Sequence, residues 1–291
     1  MSYYDPAHDV DRLKIQAAIH QDIDDRALKR VLSRCNANHP LRVLDVGCGI
    51  GAVAATRFNS PRFSVVAIDT SASAINTARA VHSAANIEYR VADVHDFLSS
   101  TPFDIVWCAQ FLQHVPEPQK TLEHLWRLTA PGGAIVCRNS DDGLDVTYPP
   151  VPEFQDVIDL TGQLPGASDR RIGRKLYNYL SSSLTPKPAS IDISLETVSN
   201  LGKSPSQLEA LFAVRHGFRL NAVRAATRTD PTLSATDHRL TEAYFLRGLE
   251  VGKSKFMDDP FTISFTVQVV ATAFKTTTLP TGEGDQVGTH R

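Results

Sequence analysis

The sequence is short of several things. Its 291 residues hold four cysteines, two methionines and two tryptophans. Cys35, Cys48, Cys108 and Cys137 make no C-x-x-C pair, so neither a zinc spacing nor a disulfide framework can be drawn and no metal is expected. Buried thiols acting as small apolar fillers in a reducing cytoplasm fit this usage. No apolar run approaches the length of a membrane span. The opening MSYYDPAHDVDRLK carries acids and has no apolar core, so it is not expected to be a signal peptide. An excess of positive charge is also lacking. Thirty basic residues against 32 acidic ones leave a net charge of −2, which gives no overall field for a phosphate backbone. A nucleic-acid partner is therefore not expected, although Arg170, Arg171, Arg174 and Lys175 form a local basic cluster.

What is present is rhythm. Apolar residues at Val10, Leu13, Ala17, Ile19, Ile23, Ala27, Val31 and Leu32 have a mostly helical spacing, which predicts one or two amphipathic helices before the first strand. LRVLDVG reads as a buried strand, GAVAATRF opens a helix, and FSVVAIDT is a second strand. SASAINTARAVHSA follows as a helix with Ser71 or Ser73 as N-cap. IEYRVAD and FDIVWCAQ are strands three and four, PQKTLEHLWRLTA is a helix, and PGGAIVCRN is strand five after a turn. Short apolar strands alternating with longer helices predict crossover connections and a parallel α/β sheet covered on both faces. Beyond Asn139 a proline-rich stretch predicts an inserted loop with short helices, and RRIGRKLYNYLSSS reads as helical. ASIDISLET and FTISFTVQVVATAF alternate as half-buried strands do. HGFRLNAVRAA fits either a helix or a strand, and the tail 276–291 is expected to be disordered.

The turn GCGIGA also matches G-x-G-x-x-A, so a dinucleotide competes with other nucleoside ligands for this site. Three strand-terminal acids bear on the choice. Asp45, two residues before Gly47, would repel a pyrophosphate on the adjacent helix N-terminus and suits a ligand with an ammonium and a sulfonium. Asp69 ends strand two, 18 residues after Gly51, where an acid can accept both ribose hydroxyls of either ligand class. Asp93, after strand three, is placed to accept from an adenine amine, with the Val94 amide facing a ring nitrogen. Any one such acid is often a solvated cap. Three in consecutive units, behind a triple-glycine turn, point to a ligand outside the carboxyl ends of the strands.

With VLDVGCGIG, VVAIDTS, VADVHDF and the run from Phe103 to Val136 including Pro131, Gly132 and Gly133, the chain resembles class I S-adenosylmethionine-dependent methyltransferases over residues 40–140. The resemblance implies a Rossmann-like seven-stranded sheet with helices on both faces, a last antiparallel strand from FTISFTVQVVATAF, an N-terminal helical lid (1–36) and an insertion after strand five. The domain would run over 37–275, with a substrate cap at about 140–188 and closing helices and strands at 189–275. It implies S-adenosylmethionine as cofactor and S-adenosylhomocysteine as product. Asp45, Gly47, Gly49 and Gly51 would surround the methionine portion, Asp69 would take the ribose with Thr70 at the adenine edge, and Asp93 and Val94 would hold the base. Gln110 would sit beneath the sulfonium. Arg12, Leu13 and Gln16 resemble a helix that covers the cofactor in natural-product members, so Arg12 or Gln16 would contact its carboxylate; an ordinary surface helix explains them as well.

Methyl transfer is an in-line displacement that needs alignment and exclusion of water, and needs a base only if the acceptor loses a proton. The base candidates are His114, Asp141 and Asp142, each with a structural alternative: a packing histidine, and aspartates that cap the turn before Gly143. Aromatic Tyr3, Tyr4, Tyr177 and Tyr179 are expected in lids over the substrate, with Trp107 and Phe111 in the core. The Asn/Asp-Pro-Pro-aromatic motif of nucleobase-amine and glutamine methyltransferases is missing after strand four, where CAQFLQHV stands instead. The expectation is a cytoplasmic monomer or homodimer that methylates O, N or C of a small molecule, plausibly in secondary metabolism. A protein or tRNA methyltransferase, and a non-catalytic cofactor-binding regulator, are the alternatives.

Overall fold

A computed structural model of the chain describes residues 10–35 and 39–277. Tyr3, Tyr4 and most of the tail lie outside the described residues. Two helices precede the first strand, α1 (Val10–Ile19) and α2 (Gln21–Leu32), with the break at His20. The rhythm of the sequence then appears as β1 (Leu41–Val46), α3 (Ala52–Arg57), β2 (Phe63–Asp69), α4 (Ala72–Val81), β3 (Ile87–Val91), β4 (Phe103–Ala109), α5 (Pro118–Leu128) and β5 (Thr129–Ser140). Ser71 is the N-cap of α4 and accepts from the Ala74 amide at 3.2 Å. Pro118 opens α5, where its missing N–H has no helical partner to lose.

Strands β1 to β5 pair in parallel in the spatial order β3-β2-β1-β4-β5. Both faces are covered because β1 is apolar in both directions. Leu41 and Val43 pack with α2, α3 and α4 on one side, while Leu44 and Val46 pack with α5 on the other. After β5 come β6 (Val146–Tyr148), α6 (Pro152–Thr161), α7 (Leu176–Ser183) and β7 (Ser190–Ser199). The chain ends with α8 (Pro205–His216), α9 (Phe218–Thr229), α10 (Thr232–Thr236), α11 (Glu242–Asp258) and β8 (Ile263–Phe274). HGFRLNAVRAA is thus helical. Antiparallel β8 lies between β5 and β7, since Gln268 to Phe274 pair with both.

The described sheet has eight strands rather than seven. The extra one is β6, which resumes pairing with β8 on the β5 side after the turn at Asp141–Asp145. The expected half-burial also fails for β8, which is flanked by strands on both edges and buried along most of its length. On β7 the alternation holds with the faces exchanged. Asp192 and Glu196 pair with Arg34 and Arg26, while Ile193 and Leu195 are exposed.

Two boundaries differ from expectation. Helix α2 is a core element, with Ile23, Ala27, Leu28 and Val31 against the sheet, so only α1 remains over the site. Helix α7 belongs to the sheet layer, its Leu176 and Leu180 packing with Leu122, Leu125 and Trp126 of α5. Helices α6, α9 and α11 share a separate apolar cluster of Val157, Leu160, Val223, Ala226 and Phe245, hereafter the cap.

Candidate functional site

A cavity of about 1100 Å³ opens at the carboxyl edge of the parallel strands. Its lining joins Gly47 and Gly49 after β1, Asp69 and Thr70 after β2, Asp93 and Val94 after β3, and Gln110 after β4. Arg12 and Gln16 of α1 line it from above and bond each other at 3.1 Å. Arg12 also reaches the Val214 carbonyl at 3.5 Å, which ties α1 to α8.

The glycine turn is held from both sides. Gly47, Gly49 and Gly51 have φ of 69°, 53° and 76°, in the left-handed region that favours glycine. Side chains also fill the space a Cβ would take: the Phe111 ring at Gly47, and Tyr89 at Gly51, where a Cβ would meet Cε1 at 2.6 Å. Gly51 does not line the cavity; it is the N-cap of α3. Asp45 also lies behind the turn, 2% exposed, with Oδ2 lacking any hydrogen-bond partner. Burial pushes its carboxyl up to about 7, the carboxylates of Asp24 and Asp69 add to this, and Arg138 opposes it.

Asp69 does more locally than end a strand. Its Oδ2 accepts the Gly49 amide at 2.8 Å and its Oδ1 accepts the Ser71 amide at 2.9 Å, which locks the glycine turn to the start of α4. Each oxygen keeps a second lone pair for a ligand. Asp93 accepts the His95 amide at 2.9 Å, with Val94 buried beside it. Gln110 has φ of 56°, the one described non-glycine residue in the left-handed region. Its side chain donates to Ser140 Oγ at 2.9 Å and Gln268 Oε1 at 2.6 Å, knotting the ends of β4 and β5 to β8.

The two aspartates after β5 are both paired with guanidiniums. Asp141 is fully buried outside the cavity lining and is clasped by the Arg174 guanidinium at 2.7 Å, while it accepts the Gly143 amide at 3.1 Å as a turn cap. Asp142 does line the cavity, but Arg170 and Arg219 reach its oxygens at 2.8 Å and 2.9 Å. Burial alone would raise its carboxyl; the two guanidiniums outweigh burial and hold it well below the usual carboxylate range. A carboxylate so stabilised is a poor proton acceptor. His114 faces the cavity and shares a hydrogen bond with Ser168 Oγ at 2.8 Å. Surrounding protein, with Arg170 and Arg12 nearby, pushes its imidazole down to about 4, so it is neutral at physiological pH.

Among the aromatics, Trp107 is in the core against Phe58, whereas Phe111 lines the cavity. Tyr177 is exposed on α7, and neither it nor Tyr179 lines the cavity. Several polar residues of the site escaped the sequence reading. Arg138, in β5, pairs with buried Asp24 of α2 at 2.6 Å, and Gln268 and Arg215 reach the site from β8 and α8. Asp145 lines the same end, its carboxyl pushed up to about 6 by burial against the opposing pull of Arg215. The one available signal was a polar residue inside an apolar strand, as at Arg138 and Gln268.

A family model described as a methyltransferase domain matches residues 44–137, the glycine turn through β5. Over about a third of its length the chain is similar to S-adenosylmethionine-dependent methyltransferases of class I. The match covers the parallel strands that carry the glycine turn and the acids Asp69 and Asp93. The chain is 35% identical over 99 residues to the ubiquinone biosynthesis O-methyltransferase of Neisseria meningitidis serogroup A / serotype 4A, covering 32% of this chain and 42% of the relative. It is 37% identical over 100 residues to the protein of that name from Xanthomonas campestris pv. campestris, covering 32% and 41%. The chain thus spans about two fifths of the length of these curated methyltransferases. Among solved structures it is similar to the cyclase SpnF, at 20% identity with a TM-score of 0.51, covering 87% of this chain and 82% of that one. It is also similar to phosphoethanolamine N-methyltransferase 2 of Haemonchus contortus, at 18% identity and TM-score 0.51, covering 87% and 52%. These last two establish the methyltransferase fold.

Proposed function

We propose that this protein is a cytoplasmic enzyme that transfers the methyl group of S-adenosylmethionine to an oxygen of a small organic molecule, releasing S-adenosylhomocysteine. The observation that carries this reading is the lining of one cavity by the glycine turn and by Asp69, Asp93 and Gln110 from four successive strand ends. The residues fit the cofactor. Asp45 keeps a buried oxygen without a partner behind the turn, suited to an ammonium directly or through water. Asp69 would take the ribose through its remaining lone pairs, Thr70, Asp93 and Val94 would flank the base, and Arg12 or Gln16 would meet the carboxylate. When bound, the cofactor supplies an electrophilic methyl group on a sulfonium.

The chain's own residues do the rest. Gln110, fixed by Ser140 and Gln268, sets the floor between the donor end and the acceptor end. Helices α1, α8 and α9 contribute lining from above, which favours a small acceptor over a protein or tRNA and keeps water from the reacting centre. His114, neutral at physiological pH and pushed down to about 4, lines the acceptor cavity as a weak base, so it is suited to orienting an acceptor hydroxyl more than to deprotonating it. The preference for oxygen rests on the similarity to ubiquinone biosynthesis O-methyltransferases. The Arg12–Leu13–Gln16 spacing supports an acceptor from secondary metabolism. Free thiols at all four cysteines support a reducing compartment.

Calorimetric titration tests the cofactor. S-adenosylmethionine and S-adenosylhomocysteine are expected to bind and NAD not to, and Asp69→Ala is expected to weaken binding by about tenfold or more, since it removes paired charge-assisted acceptors. Tight NAD uptake, or an unchanged affinity in the variant, would refute the assignment. Transfer of labelled methyl into the small-molecule fraction of a cell extract, rather than into protein or tRNA, tests the acceptor class.

A further inference from the structure

The cavity changes sign along the sheet edge. At the β2 and β3 end its charged lining is acidic, Asp69 and Asp93. At the β5 and β8 end, Arg170 and Arg215 line it with Asp142 and Asp145, and Arg219 stands behind Asp142. Arg170 and Arg219 share Asp142 at hydrogen-bonding distance. Arg215 has no such match. It is 8% exposed, and its closest carboxylate oxygen, Asp145 Oδ2, is 3.6 Å from Nη2, beyond a normal hydrogen bond. Nη1 has only a long bond to Ser264 Oγ at 3.3 Å, and the buried Nε has no partner. The guanidinium carbon lies 6.0 Å from the Phe256 ring centroid. Asp145 meanwhile commits Oδ1 to the Val267 amide at 3.0 Å.

Arg138, which lines the same end, is matched by Asp24. Among the other described residues of this cluster three guanidiniums face two carboxylates, so one positive charge is uncompensated where water is scarce. Leaving a buried guanidinium short of acceptors is costly, and a cavity wall is where a ligand can supply them. Arginine also presents a planar fork that matches an oxyanion bidentately.

We infer that Arg215 anchors an acidic group of the acceptor, and that the substrate class is an organic acid bearing a carboxylate or phosphate-type oxyanion away from the atom that is methylated. Calling this ligand the acceptor rests on the methyl-transfer reading above; its binding through an anionic group does not. A sulfonium at the acidic end and an acid at the arginine end would each meet the opposite charge, which orients the two molecules in one sense only.

The test is calorimetry on the full chain, free and supplemented with S-adenosylhomocysteine, using benzoate, phenyl phosphate and benzamide as probes. At least one anion is expected to bind, and benzamide, neutral and nearly the shape of benzoate, to bind about tenfold more weakly or worse. Benzoate against phenyl phosphate separates a planar from a tetrahedral oxyanion. Arg215→Met is expected to lower anion affinity about tenfold, leaving the affinity for S-adenosylhomocysteine unchanged, and Arg215→Lys to restore part of the loss. The wild-type comparison of benzoate with benzamide needs no variant and stands if Arg215→Met fails to fold. Equal binding of benzamide, no binding of either anion, or unchanged anion affinity in a folded Arg215→Met protein would overturn the inference. Anion selectivity without any uptake of S-adenosylhomocysteine would support this inference and refute the cofactor reading.

Discussion

Asp45 illustrates how a single side chain can be poor for the fold and useful for a ligand. Its carboxyl is buried beside like charges, which holds its folded value at about 7 against about 4 for an unfolded aspartate. The raised value means that the folded state favours the protonated form. The stability linked to it is fully present below about pH 4 and is lost as pH rises through about 7. Asp45→Asn, an isostere of the protonated acid, is therefore expected to melt higher than the parent at about pH 8, with the gain shrinking towards pH 5. The same substitution is expected to weaken S-adenosylmethionine binding, and the parent's affinity should rise between about pH 6 and 8 as the carboxylate forms. Thermal melts and calorimetry across that range check both; pH-independent affinity would remove Asp45 from the cofactor's surroundings.

At the level of elements, the cap depends on how closely α11 approaches α6. Two glycines one turn apart make this possible. A Cβ on Gly248 would lie 2.6 Å from Val157 Cγ2 and 2.8 Å from the Glu153 carbonyl, and one on Gly252 would strike the Phe154 ring. Neither contact involves the glycine turn or the strand-end acids. Gly252→Val is thus expected to cost on the order of 1–3 kcal/mol by forcing the helices apart. Turnover should fall while cofactor affinity holds, because the displaced wall belongs to the acceptor end. Denaturant unfolding and a kinetic comparison at saturating cofactor check this. A parallel loss of cofactor affinity would mean that cap and glycine turn respond as one body.

For the molecule as a whole, the separation of apolar clusters matters most. The two faces of the sheet carry the large cores, built on β1, β2, β4 and β5, while the cap has its own smaller cluster around Val157, Val223 and Phe245. A small cluster opens at lower free energy than a sheet interior. Amides of α9 and α11 are therefore expected to exchange with deuterium faster than those of β1 and β4, and to slow when cofactor and acceptor bind together. Uniform protection across cap and sheet would rule out an independently opening cap. Charge is divided along the same cavity: Asp69 and Asp93 line it at the ends of β2 and β3, and Arg170 and Arg215 line it from the loop before α7 and from α8.

Much of this was legible in the sequence, because it is local or periodic. The parallel core followed from apolar strands alternating with helices, and the glycine turn from three glycines spaced two apart directly behind a strand. The strand-end acids Asp69 and Asp93 followed from their place at the close of each apolar run. The rest is a matter of partners distant along the chain. Asp141 and Asp142 read in the sequence as base candidates or as turn caps, and only the fold shows Arg174, Arg170 and Arg219 set against them. Gln268 and Arg215 became part of the site only when β8 was inserted beside β5 and α8 was tied to α1 through the Arg12 contact to the Val214 carbonyl. Tyr177 and Tyr179 left the expected lid because α7 packs on α5. A residue's periodicity reports which way it faces on its own element, and this the sequence determined; the charge state and role of a buried group depend on which other groups surround it, and only tertiary packing decided that.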